Sequence, residues 1–285
     1  MILFEVALII LITMGFSIAV LFSKVSLNHI RPERFAMLYI MGASFVIFIE
    51  FSIFHLLGKA PIIIRVNIWI ILVAAFFGAF AYFFGYVGLK NTNAGISSTI
   101  FNLQGPLIAL LGALFYMEYP GNLVLTGLAI AIVGLFMMGS SGNSGKEIKF
   151  NIPFILLSLS PLFWALEWVI FSFVSYAAPI FFTFVLYFSI FLVLVAMNII
   201  SKPPLISSPR IRAYALTGGL FSGIANGAYG IFITYYGTTL TGLITLISVP
   251  VSIILVVVIL KERYVKLEML GIILVCIGLL VSAIL

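Results

Sequence analysis

The chain has 285 residues, 64% hydrophobic and 8% charged, with a mean hydropathy of +1.33; soluble domains carry about 25% charged residues, so a water-soluble globular class is excluded. The net charge of +6 sits in short connections and reads as membrane topology, not as a nucleic-acid surface. Cys276 is the single cysteine, which excludes an intrachain disulfide, and two separated histidines beside it leave no set of ligands for a transition metal.

In chain order, ten apolar segments approach the roughly 20 residues that cross a bilayer as a helix. They are spans 1 to 10, at residues 3–23, 35–55, 67–88, 94–115, 121–139, 152–174, 179–200, 212–235, 239–260 and 265–284. No Lys or Arg precedes span 1, whose apolar run continues past residue 20, so it reads as a resident helix and not as a cleaved signal peptide. Pro32 punctuates the first connection, Gly58 and Pro61 the second, Pro120-Gly121 the fourth, and Pro203, Pro204 and Pro209 the seventh. The Gly/Ser-rich stretch at about 139–147 is the one real linker. It divides the chain into 1–140 and 141–285, each with five spans.

The two parts share a register. Pro106, Glu118, Gly127 and Gly134 recur 144 residues later as Pro250, Glu262, Gly271 and Gly278, and Phe77 and Ala81 recur as Phe221 and Ala225. A unit with an odd number of spans enters the membrane from the opposite side the second time. The expectation is therefore an all-α membrane protein, ten transmembrane helices arranged as two inverted five-helix repeats. Gly127 and Gly134, like Gly271 and Gly278, lie seven residues apart on one helical face, a spacing that lets helices pack closely in lipid. Glu118 and Glu262 lie in turns beside Tyr and Lys/Arg and read as structural, holding helix ends by hydrogen bonds.

These residues carry a resemblance. Spans 3 and 4 read Tyr82-Phe-Phe-Gly-Tyr-Val-Gly-Leu-Lys-Asn-Thr-Asn-Ala-Gly, then Pro106 and Tyr116-Met-Glu118; the second half reads Tyr229-Gly-Ile-Phe-Ile-Thr-Tyr-Tyr, then Pro250 and Lys261-Glu262. An aromatic third helix, a small-residue start to the fourth, a proline within it, a Glu turn and a Gly-spaced fifth helix resemble the EamA-like family of the drug/metabolite transporter superfamily, over essentially the full length. The resemblance implies a ten-helix carrier of small metabolites, often an exporter of amino acids, with spans 1–4 and 6–9 lining the cavity and 5 and 10 outside. Two positions depart from the family. Span 2 has Tyr39 near the place of a frequent arginine, and span 1 has Met14-Gly15 for Trp-Gly, while Trp164-Ala165 keeps the tryptophan in span 6. The absent arginine argues against an anionic substrate.

Polar groups inside spans are functional candidates, because the bilayer makes them costly. Glu167 is the one acid near the middle of a span, flanked by Trp164 and Trp168. A carboxylate there suits a proton carrier or the counter-ion of an amine, and Pro161, six residues earlier, loosens the helix. Span 4 offers Ser98, Asn102 and Gln104 before Pro106; span 9 offers Thr245 and Ser248 before Pro250. Spans 3 and 8 offer Tyr82 and Tyr86, and Asn226 and Tyr229, at helical spacing. With Tyr39 and the two tryptophans these form the expected substrate site, and Pro106, Pro250 and Pro161 the expected hinges.

No catalytic constellation, ATP-binding motif or cofactor motif appears, so the reading is a secondary transporter working by alternating access on small metabolites such as amino acids or related amines. The opposing class is a membrane-embedded enzyme or lipid-handling protein. The expected partners are a small solute, protons where coupling exists, and the bilayer, with the chain a monomer in a prokaryotic plasma membrane. Except for Lys59 and Arg65, every Lys and Arg falls in a connection after an odd-numbered span or at its edge, which places both termini outside.

Overall fold

The computed structural model describes residues 2–62, 67–116, 121–140, 151–176, 178–204, 208–244 and 248–283. The helices are α1 (Ile2–Leu27), α2 (Pro32–Leu56), α3 (Ile68–Asn91), α4 (Ala94–Phe101), α5 (Gln104–Tyr116), α6 (Gly121–Ser140), α7 (Ile152–Ser175), α8 (Pro179–Ser201), α9 (Pro209–Ile244), α10 (Ser248–Leu255) and α11 (Lys266–Ala283). Strands do not occur among the described residues. Prolines in the first turn start α2, α7 and α8, where a missing N–H costs nothing. A side-chain cap starts α3, where Asn67 accepts from Trp69 N at 3.1 Å, and a second adds to the proline of α7, where Asn151 accepts from Phe154 N at 3.0 Å.

Seven stretches among the described helices are long and apolar enough to cross a membrane, and α6 and α10 contribute shorter apolar runs. Large apolar side chains such as Phe45, Ile53, Phe76 and Phe136 point outward. Such a surface suits lipid and not water.

Two expected spans are broken. Span 4 becomes α4 and α5, interrupted at Asn102–Leu103. Pro106 has no N–H to give the Asn102 carbonyl, which accepts instead from Gly105 N at 3.2 Å in a tighter turn. Span 9 consists of the end of α9 beyond Gly237, whose φ of 79° breaks the helix, then α10 and a π-helical turn at Val256–Leu260. Lys261, left-handed at φ 53°, ends that turn. Glu118, Thr245 and linker residues 141–147 lie outside the described residues, as does the side chain of Pro250.

The packing repeats under exchange of the halves. In the 144-residue register α1 corresponds to α7, α2 to α8, the main part of α9 to α3, and α11 to α6. α1 lies on α9 as α7 lies on α3; α2 meets α8, α6 meets α11, and α4 meets α10. The α6–α11 contact is made by backbone. A Cβ on Gly134 would stand 2.6 Å from Gly271 O, and one on Gly271 would stand 2.7 Å from Gly134 O. Gly278 crosses Gly127 in the same way one step along the stripe.

Candidate functional site

The broken helices α4–α5 and α10 end against a central space of about 70 Å³, room for a few waters. Of the residues singled out in the sequence, Tyr39, Tyr82, Tyr86, Ser98, Asn102, Gln104, Trp164, Trp168, Asn226, Tyr229 and Ser248 all line it. Phe16, Val20, Ser23, Leu89, Phe101, Ser222 and Ser252 complete the wall, and no lining residue is charged.

One side of the wall is aromatic. Tyr39 meets Tyr86 with ring centroids 5.2 Å apart, Trp164 stands edge-on to Tyr82 at 5.2 Å and to Phe101 at 5.0 Å, and Trp168 leans on Tyr229 at 4.5 Å. Each edge-to-face pair fixes the rings more firmly than burial alone. The other side is a polar bridge between the halves. Asn102 donates to Ser98 O at 2.7 Å and accepts from Ser248 Oγ at 2.8 Å, tying α4 to α10 at the point where α4 stops. Ser252 Oγ then donates to Ser17 Oγ at 2.9 Å, extending the bridge to α1. Asn226 donates to Ser222 O and Oγ at 2.7 and 2.9 Å. The break at Asn102–Leu103 thus turns an amide that a continuous helix would carry on its flank into a link across the cavity.

Glu167 stands elsewhere than expected. It is fully buried and absent from the cavity wall, while its neighbours Trp164 and Trp168 on α7 face the space. Its carboxylate lies against Gly78 of α3, where a Cβ would come within 2.8 Å of Cδ, and that same Cβ would stand 2.8 Å from Ile190 of α8. Neither oxygen has a hydrogen-bond partner among the described residues. Tyr82, Tyr187 and Tyr229 stand in its surroundings. Tyr82 and Tyr229 belong to the wall, so Glu167 sits one layer behind it.

Pro161 acts differently from the expectation that it loosens span 6. α7 runs through it unbroken, and the Leu157 carbonyl it deprives of a donor accepts from Ser160 Oγ at 2.8 Å. No carbonyl is freed toward the cavity there. Sequence reasoning also passed over Tyr187, fully buried on α8, whose hydroxyl bonds that of Tyr82 at 2.8 Å.

A second, larger space of about 540 Å³ opens on the face that carries Lys59 and the α7–α8 turn, lined by Phe54, Lys59, Ala60, Tyr176, Ile231, Thr234 and Tyr235 among others. The Glu262 carboxylate accepts from Ala94 N at 2.8 Å and Gly95 N at 3.3 Å, at the start of α4. No groups of three or more His, Cys, Asp or Glu that suit a metal ion occur among the described residues.

The sequence profile of the EamA-like transporter family matches residues 3–140 and again 151–284, once in each half. No curated protein sequence matches the chain. Solved structures share the fold; one, titled only as the crystal structure of a protein, superposes with a TM-score of 0.65 at 17% identity, covering 95% of this chain and 96% of that one. With two family units spanning nearly its whole length, the chain is an integral membrane protein belonging to the EamA-like transporter family.

Proposed function

We propose that the chain is a secondary carrier, an exporter of small metabolites such as amino acids or related amines, in a prokaryotic plasma membrane. It acts as a monomer of ten transmembrane helices in two inverted five-helix halves, 1–140 and 141–285, with the face bearing most Lys and Arg in the cytoplasm. The observation that carries this reading is the uncharged cavity walled by both halves, where α4 of one half meets α10 of the other through Asn102 and Ser248. The exchange of packing partners between the halves supports the inverted arrangement, since each half then has the geometry to adopt its partner's conformation.

Chemically, the wall suits a small amphipathic solute. The rings of Tyr82, Tyr86, Trp164 and Trp168 offer apolar and cation–π surface, and Asn102, Gln104 and Asn226 offer directed hydrogen bonds. Glu167, one layer behind, supplies a negative group for an amine or a site for a transported proton. It reaches the solute only when the wall at Tyr82 or Tyr229 moves.

A ligand screen on purified protein tests this. Amino acids, amines and nucleosides are ranked by thermal stabilisation, where a ligand at about a hundred times its Kd adds about 2.7 kcal/mol. The reading expects an amino acid or amine to lead the ranking, with the shift lost in Trp164→Ala. Stabilisation by lipid headgroup analogues alone would favour a lipid-handling protein.

A further inference from the structure

On the face that carries the basic connections, groups outside the cavity tie helix ends together. α4 begins at Ala94, and the residue in its capping position, Asn93, makes no side-chain hydrogen bond to the first turn. The first amides of a helix need an acceptor and carry positive dipole character. Here that acceptor comes from the other half of the chain. Glu262, in the turn between α10 and α11, takes Ala94 N at 2.8 Å and Gly95 N at 3.3 Å, and Tyr264 Oη donates to Glu262 at 2.9 Å. Gly95 is open enough to admit the Tyr264 ring, which any Cβ there would strike. Burial, and then the charge of Glu262, hold the Tyr264 hydroxyl above the usual tyrosine range, so it stays a donor. The preceding turn is gripped from the other side: Lys24 of α1 donates to Leu89 O at 2.8 Å and to Thr92 O, the carbonyls ending α3.

We propose that the Glu262 carboxylate is a reversible latch that closes the basic face of the carrier by capping α4 across the two halves. It rests on the carrier reading of the cavity and names the gate. α4 is one short helix from Ala94 to Phe101, and its far end bears Ser98, Phe101 and Asn102 in the cavity wall. Movement at the amides therefore moves the wall. A helix capped from within its own sequence would have no such coupling. Glu262 and Tyr264 are only partly buried, so water replaces the lost bonds when the latch opens.

The test is cysteine accessibility in nanodiscs, in a Cys276→Ser background. Ser23→Cys reports the cavity wall toward the basic face, and Thr234→Cys reports the opposite vestibule. Glu262→Gln removes the charge and one acceptor. We expect the maleimide reaction of Ser23→Cys to quicken about tenfold, the population shift given by losing about 1.4 kcal/mol of closed-state stabilisation, while that of Thr234→Cys slows. Tyr264→Phe, which keeps Glu262 and removes one bond, should shift both rates the same way by less, and stands in where Glu262→Gln does not fold. Unchanged rates in both variants, or a parallel rise at both positions, would overturn the latch. Labelling needs no substrate, so a chain that passes this test yet exchanges no solute would overturn the carrier reading alone.

Discussion

Replacing Gly134 by alanine adds one methyl group where α6 and α11 touch through their backbones. The new Cβ would stand 2.6 Å from Gly271 O, 2.8 Å from Val275 N and 2.9 Å from Val275 Cγ2, against 3.4 Å or more for ordinary contact. Two of the three neighbours are backbone, so no rotamer relieves the clash and the helices must part by nearly an ångström. Overpacking of this kind costs about 1–3 kcal/mol, and loss of close contact along the stripe acts in the same direction. At about 2–4 °C per kcal/mol for a chain approaching this size, thermal unfolding in detergent should fall by about 5 °C. Gly58→Ala is the control: nothing lies within 4 Å of its Cβ position, and only the φ of +70° resists the change, at about 1 kcal/mol. Ligand ranking should be unaltered in Gly134→Ala protein that remains folded. A Gly134→Ala protein as stable as the parent would show that α6 and α11 are not in backbone contact. A changed ranking would move them into the transport path.

Glu167→Gln should insert and fold, because the carboxylate makes no hydrogen bond among the described residues whose loss would destabilise the chain. It should nonetheless impair flux and, where protons are carried, abolish the dependence of flux on pH between about 5 and 8; an unaltered flux and pH profile would make the residue structural. Asn102→Ala removes the donor to Ser98 O and the acceptor for Ser248 Oγ together. Ligand stabilisation should fall by about 0.5–1.5 kcal/mol for each bond lost, and retention of full ligand stabilisation would remove the bridge from the site.

The fold was legible wherever bilayer chemistry dictates it. Apolar length, Gly/Pro punctuation and the 144-residue register located the segments that the helices occupy. The amides and tyrosines of the cavity stood out because Asn and Gln are conspicuous in apolar sequence. Ser23, Ser222 and Ser252 did not, since a serine inside a span commonly bonds its own helix, as Ser23 also does to Ala19 O. Ser222 had a signal that was available, its place one turn before Asn226. Phe16 and Phe101 are lost among 28 phenylalanines. The side of α7 that Glu167 takes depends on Gly78 leaving room across the interface, which periodicity within α7 does not encode. α7 runs on through Pro161 because a neighbouring side chain, Ser160, supplies the donor that the proline lacks. Glu262 stood out in its turn, but the amides it accepts from lie in the other half of the chain, beyond the reach of turn chemistry.

Counterflow in liposomes addresses the carrier claim most directly. Purified protein is reconstituted with a high internal concentration of the leading amino acid or amine, and uptake of a labelled trace of the same solute is followed. A carrier working through the cavity at Asn102 and Trp164 should give saturable, transient accumulation above the equilibrium level, absent in empty liposomes and reduced in Trp164→Ala. Folded protein that gives no exchange with any solute of the panel, or that instead turns over the lipid around it, would contradict the account.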